Sequence, residues 1–204
     1  MSLALKSCAA LGEVNHVAIA RRTPLEKVLY NLRNSRIITG HFSYGIHKYL
    51  PDVPYRYATA LRHPVERTMS VHSYVKACAK KRGIHSGIKY FKDNLIEFTR
   101  GYWQARNVAT RMLSGVHLMD TRELCEADFL RAKDNLERID FVGITSDLNG
   151  LAQKLEPYGV DGVVQTRHVT SANKFTSLDE ETFRVLSEIN TYDMRLFEVA
   201  KGRS

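Results

Sequence analysis

Cysteine is scarce in this chain, and its scarcity sets the first exclusions. Three cysteines among 204 residues, Cys8, Cys78 and Cys125, stand far apart. An odd, scattered set excludes a disulfide framework, and no histidine or cysteine sits at ligand spacing, so no metal site is expected. Reduced thiols fit a cytoplasmic protein. Long apolar runs are lacking too, since none approaches the roughly 20 residues that span a bilayer. The opening Met1-Ser2-Leu3-Ala4-Leu5-Lys6 is too short in its apolar part for a signal peptide. Internal repeats and low-complexity tracts are absent. No export or membrane anchoring is therefore expected.

What remains is ordinary for a globular chain: 44% hydrophobic and 25% charged residues, at a length suited to one domain, residues 1–204. The one bias is a net charge of +8, which favours anionic ligands: nucleotides, sulfated glycans or nucleic acids. The basic residues are scattered rather than gathered in a tail, which argues against a nucleic-acid partner.

Short strands alternate with helices. Val17-Ala18-Ile19-Ala20 is an apolar run, Pro24 opens a helix to about Arg33, and Arg36–Thr39 reads as a strand ending at Gly40. Tyr55–Leu61 reads as a buried strand. Pro64 then starts a helix to about Lys80, with Glu66 in its first turn and Thr68, Val71, Val75 and Cys78 on one face. Further helices are predicted over 88–99, 104–113 and 124–138, with Gly115 a stop after the second. Phe141–Ile144 is a strand, and Thr145 or Ser146 caps the helix after it. Residues 160–176 read as an irregular polar loop. Ser177-Leu178-Asp179-Glu180 is a capping box for a last helix to about Lys201. Its apolar stripe is Phe183, Leu186, Ile189, Leu196, Phe197 and Ala200. Asp193 interrupts that stripe and is expected to serve structure through a buried partner. The pattern predicts an α/β fold with a mainly parallel sheet covered on both faces, and ligands outside the carboxyl ends of its strands.

Arg62 stands at such an end. A guanidinium leaving a strand can fork two N–H bonds onto a phosphate, and Ser70 on the next helix can add a hydroxyl. The alternative is an Arg62–Glu66 surface pair beside a solvated serine.

Leu61-Arg62-His63-Pro64-Val65-Glu66-Arg67-X-X-Ser70 resembles the 3′-phosphate-binding motif of sulfotransferases that use 3′-phosphoadenosine 5′-phosphosulfate (PAPS). More narrowly, it resembles the carbohydrate branch that includes heparan sulfate 2-O-sulfotransferase and its bacterial relatives. Gly40-His41-Phe42-Ser43 is similar to the family's Gly-His-Val-Ser. Asn107-Val108-Ala109-Thr110-Arg111-Met112-Leu113-Ser114-Gly115, Phe141-Val142-Gly143-Ile144 and the terminal Asn190–Glu198 follow in register. The resemblance covers about residues 37–200. It implies a three-layer αβα fold with a P-loop-like sheet, and transfer of a sulfonate group from PAPS to an acceptor hydroxyl, a carbohydrate being the class it names. His41 becomes the catalytic base and Arg62 and Ser70 the 3′-phosphate ligands. Arg167, beside His168, helps close over the nucleotide, and Asn107 and Arg111 face the acceptor or cap the sheet edge.

Two departures stand out. His63 occupies the family's usual Asp position. The Lys-Thr-Gly loop that cradles the donor's 5′-phosphosulfate is not found, and Ala20-Arg21-Arg22-Thr23-Pro24 lacks its glycine. The N-terminal strand and phosphate loop are therefore expected to be missing. Three readings follow: an active sulfotransferase, an inactive sulfotransferase-like fragment or binding module, and a basic nucleic-acid-binding domain supported by charge alone. Trp103 is expected in the core, and His47, His72, His85 and His117 suggest no site.

Overall fold

Tyr-Arg-Tyr-Ala-Thr-Ala-Leu combines aromatic strand formers with small residues that let helices approach closely. In the computed structural model of the chain it forms β4 (Tyr55–Leu61), buried from Tyr57 to Thr59 and again at Leu61. The structure describes residues 2–6, 16–19, 37–40, 43–49, 54–80, 91–116, 120–158 and 178–204. β4 pairs in parallel with β5 (Phe141–Ile144), Ala58 opposite Phe141 and Leu61 opposite Ile144. On its other side lies β1 (Ser2–Lys6), antiparallel to β4 and also to β3 (Ile37–Gly40). β2 (His16–Ile19) pairs in parallel with β3, giving the order β2-β3-β1-β4-β5. Only β1 runs against the other four.

Residues 17–20 read from sequence only as an apolar run and 2–6 carry no strand expectation; residues 2–6 and 16–19 both join the sheet. Five residues with leucine at every second position suffice for β1 once strands lie on both sides of it. The helix expected from Pro24 to Arg33 and the basic segment at 20–24 lie outside the described residues.

The first helix among the described residues, α1 (Pro64–Lys80), starts and stops where its sequence signals do, and buries Val65, Thr68 and Val75. α2 (Leu95–Gly101) is capped by Asn94, whose side chain accepts from Glu97 N at 3.0 Å. A helix over 104–113 is predicted, but the structure divides it into a 3-10 turn (Trp103–Ala105) and α3 (Val108–Leu113). The break is at Asn107, which adopts left-handed backbone (φ 45°), a conformation asparagine tolerates better than most residues. Gly115 ends α3 as expected, with φ +79°.

α4 (Glu126–Glu137) and α5 (Leu148–Leu155) flank β5. Asp147, rather than Thr145 or Ser146, caps α5 by accepting from Gly150 N at 3.1 Å. Asp179 caps α6 (Glu180–Ile189), accepting from Thr182 N at 2.8 Å. In both cases a charged acceptor takes the cap from a neighbouring hydroxyl. The predicted last helix is two, α6 and α7 (Thr191–Lys201), separated at Asn190.

Helices cover both faces of β4 and β5. Tyr57, Leu61 and Val142 pack against Phe129 and Leu136 of α4 and Leu196 and Phe197 of α7. Ala58 packs against Leu151 and Leu155 of α5 on the opposite face. Of the predicted stripe, Leu186, Leu196, Phe197 and Ala200 are buried, and Phe183 and Ile189 are half-buried. No helix among the described residues is long and apolar enough to cross a membrane.

Candidate functional site

β4 ends at Leu61, whose carbonyl accepts from Thr145 N at 2.8 Å, and so delivers Arg62 at the carboxyl edge of the sheet. Pro64 fixes the turn into α1, and the His63 carbonyl takes the first helical bond, from Arg67 N at 2.9 Å. Arg62 Nε donates to Glu66 Oε2 at 3.2 Å. Glu66 and Ser70, four residues apart, share one helix face. Arg62, Glu66 and half-buried Ser70 thus form one corner, with the carboxylate between the two residues expected to hold phosphate. The Ser70 hydroxyl has no hydrogen-bond partner among the described residues. Arg67 and Thr68 anchor the corner from behind, bonding the carbonyls of Gln104 (3.3 Å) and Ala105 (3.2 Å).

His63 packs between two helices. It stacks on Phe183 of α6 at 6.0 Å and meets Phe197 of α7 edge-on at 5.3 Å. Burial pushes its imidazole below the ordinary histidine value, partly offset by Glu66 and Glu198. The strand register places the ends of β3 and β4 at one edge of the sheet. Gly40 at the end of β3 lies opposite Ser2, and Ser2 opposite Thr59, so β3 finishes at the edge where β4 hands over to Arg62. Two strand spacings, about 10 Å, separate them laterally. His41, Arg167 and His168 lie outside the described residues.

Asn107 and Arg111 bind within the protein. Asn107 Nδ2 donates to the Ile189 carbonyl and its Oδ1 accepts from Asp193 N, both at 3.0 Å. In return, the Asp193 carboxylate accepts from Ala109 N at 3.0 Å and Thr110 N at 2.7 Å, closing the first turn of α3. Asn190 completes the clasp, accepting from Asn107 N at 3.0 Å and donating to Leu186 O at 2.9 Å. Burial pushes the Asp193 carboxyl above its ordinary value, and these backbone donors pull it back. The structural role expected of Asp193 is thus accounted for. The Arg111 guanidinium lies over the Trp103 ring at 5.5 Å and donates to the carbonyls of Asp120 (2.7 Å) and Arg122 (2.8 Å).

Asn107 and Arg111 also border a cleft of about 460 Å³ between α3, the start of α4 and the α6–α7 junction. Trp103, expected in the core, is half-buried on its wall, with Tyr192 also in the lining. Two ion pairs stand there: Arg106 Nη2 with Glu123 Oε1 at 3.1 Å, and Arg195 with both Glu126 oxygens at 2.6 and 2.7 Å. Sequence reading misses this cleft because its charged residues come from separate elements, with no motif spacing to connect them.

A second cluster also escapes the sequence. Tyr55 and Tyr57, on one face of β4 by strand period, meet His47 from the 3-10 turn Ile46–Tyr49. The His47 backbone N–H donates to Tyr57 Oη at 3.2 Å, and His47 Nδ1 lies 2.9 Å from the same oxygen, the imidazole tautomer setting which of the two donates. Burial pushes His47 down and Tyr57 well up. Tyr57 lies five residues before Arg62 on an extended strand, about 17 Å away, so this pair is remote from the Arg62–Glu66–Ser70 corner.

Comparison of the chain with models of protein families, with curated proteins and with solved structures gives no match.

Proposed function

We propose that the protein is a sulfotransferase that uses PAPS as donor and a hydroxyl-bearing acceptor, on a three-layer αβα fold of the P-loop-like type. The observation that carries the reading is the corner itself. A strand parallel to β5 and covered by helices on both faces leads into Arg62, and the chain turns through Pro64 into the helix that bears Ser70. Arginine, serine and the first turn of α1 form a phosphate-binding set, and the lone Ser70 hydroxyl suits it. Glu66 must release Arg62 Nε, or share the guanidinium, when a phosphate arrives.

In this reading His41 accepts the proton of the acceptor hydroxyl while that oxygen attacks the donor sulfur in line. The bond from sulfur to the bridging phosphate oxygen breaks, and adenosine 3′,5′-bisphosphate leaves. Arg62 and Ser70 hold the 3′-phosphate and fix the direction of attack.

The missing Lys-Thr-Gly loop and the carboxylate already on Arg62 favour a second reading: a nucleotide-binding module without turnover.

Thermal unfolding with adenosine 3′,5′-bisphosphate, with 5′-AMP as control, tests the proposal. A ligand at 100 times its dissociation constant stabilises by about 2.7 kcal/mol. A shift with the bisphosphate alone, abolished by Arg62→Ala, is expected. Equal shifts with both nucleotides, or none, overturn donor recognition. Binding without sulfonate transfer to any acceptor selects the second reading.

A further inference from the structure

The cleft beside Trp103 is separate from the Arg62 corner, because no residue of β4 or α1 lines it. Its positive and negative groups stand at different depths. Glu123, Glu126 and Glu188 lie at the rim, with side chains more than half exposed. Arg106 and Arg111 lie deeper, the Arg106 side chain 26% exposed and Arg111 only 3%. A carboxylate facing water is screened and holds its partner weakly, so Glu123 does little to neutralise Arg106. Glu188 is taken by Arg184, and Glu126 by Arg195. Arg111 has no carboxylate partner among the described residues. Its two Nη atoms donate to the carbonyls of Asp120 and Arg122, while the Asp120 carboxylate pairs with Arg122. The floor of the cleft therefore keeps an unbalanced positive charge. Burial pushes the Arg111 guanidinium below its ordinary value, and Asp120 and Glu123 offset this only in part.

Donors in this floor also lack acceptors. Arg106 Nε and Arg111 Nε are both buried without a hydrogen-bond partner among the described residues, which is costly for any buried donor. The start of α7 adds two more. The Asn190 side chain is turned to Asn107 N and Leu186 O instead of capping that helix. The N–H groups of Thr191 and Tyr192, both residues of the cleft wall, are thus left without an acceptor among the described residues. The positive end of the α7 dipole adds to the charge of the floor. Donors that come from two guanidinium groups and a helix end approach from several directions, which suits a tetrahedral oxyanion better than a planar carboxylate. The volume of about 460 Å³ exceeds what a single ion fills and falls within the roughly 300–1,000 Å³ of small-molecule sites. From this arrangement we infer that the cleft binds a phosphate group carried by a small polar molecule. Glu123 swings out to admit it, Arg106 and the first turn of α7 donate to its oxygens, and Arg111 supplies the unbalanced charge behind them. The inference goes beyond the donor-site reading and does not depend on it.

Trp103 is the chain's only tryptophan and lies 5.5 Å from the Arg111 guanidinium, so its emission reports on this cleft. The full chain is titrated at constant ionic strength with inorganic phosphate and with glycerol 3-phosphate, with chloride and acetate as controls. A saturable change in Trp103 emission with both phosphates, and none with the controls, is expected. Arg106→Gln should weaken binding about tenfold. Glu123→Gln removes the competing carboxylate and should tighten binding about two- to fivefold, a gain that a purely structural Arg106–Glu123 pair does not predict. The Glu123 side chain is 78% exposed, so this variant tests binding rather than folding. Arg62→Ala should leave the Trp103 titration unchanged, which keeps the two sites apart. Any of four results overturns the inference: no saturable change with either phosphate, an equal response to acetate, binding that neither Arg106→Gln nor Glu123→Gln alters, or loss of the response in Arg62→Ala. Nucleotide binding at Arg62 is measured separately by thermal shift, so either proposal can fail while the other stands.

Discussion

Replacing Asp193 with alanine is expected to destabilise the fold by about 3–4 kcal/mol, although the residue touches no part of the phosphate corner. Its carboxylate is 3% exposed and closes two N–H groups at the start of α3, at 3.0 and 2.7 Å. Hydrogen bonds to a charged group contribute about 1.5–3 kcal/mol each, and a stranded buried donor costs about 1–3 kcal/mol. Two such bonds give an upper figure near 6 kcal/mol, reduced because alanine also removes the cost of burying a carboxylate. Asp193→Asn retains one acceptor and turns an amide donor towards the second N–H, so a loss of about 1–3 kcal/mol is expected. The Asn107 side chain and the Asp193 carboxylate tie the same start of α3 to the α6–α7 junction, so Asn107→Ala combined with Asp193→Ala should cost less than the sum of the two. Urea unfolding followed by circular dichroism supplies the numbers, with an unchanged denaturant slope as the two-state check. A loss below about 1 kcal/mol for Asp193→Ala, or strict additivity of the pair, refutes the clasp as a source of stability.

Three further outcomes follow from the packing and charge. Asp128 is held well below the usual carboxylate range, first by Arg122 at 2.6 and 2.8 Å, with Cys125 and Arg131 assisting. Its contribution is full above the unfolded value near pH 4 and fades as pH falls towards the depressed folded value. The Tm gap between wild type and Asp128→Asn should therefore narrow progressively below about pH 4, and a constant gap refutes the assignment. Burial lowers the folded pKa of His63, so the unfolded chain takes up the proton first as pH drops through about 6.5. Stability should fall across that step, and His63→Phe should flatten the pH–Tm curve there; an unchanged curve refutes this. A Cβ at Gly143 would lie 2.9 Å from Leu151 Cβ, so Gly143→Ala should cost about 1–3 kcal/mol in urea unfolding. A neutral result means that α5 moves aside freely.

The elements that sequence locates well are those whose ends carry a local chemical signal. Pro64 and Glu66 mark the start of α1, Gly115 stops α3, and β4 declares itself by its aromatic and small residues. Two breaks were hidden, at Asn107 and Asn190. Each depends on a partner more than 80 residues away along the chain, and local spacing carries no record of that pairing. At the starts of α5 and α6, Asp147 and Asp179 take the caps for which sequence offers the hydroxyl residues just before them. β1 was illegible because its strand character depends on neighbours. The phosphate corner is visible as a motif because Arg62, Glu66 and Ser70 lie within nine residues of sequence. The Trp103 cleft and the His47–Tyr57 bond exist only after folding.

The direction of β1 has a practical consequence. Because it runs against its neighbours, its first residue, Ser2, is level with Gly40 and Thr59, at the edge where β4 passes to Arg62. Anything joined ahead of Ser2, whether an affinity tag or a preceding stretch of polypeptide, emerges at that edge beside Arg62. The other terminus leaves elsewhere. Arg203 bonds the carbonyl of Ile139, just before β5 begins and so at the far edge of the sheet. A purification handle or surface tether placed after Ser204 leaves the Arg62 corner clear, so nucleotide-binding tests of the proposal belong on a protein tagged at that end.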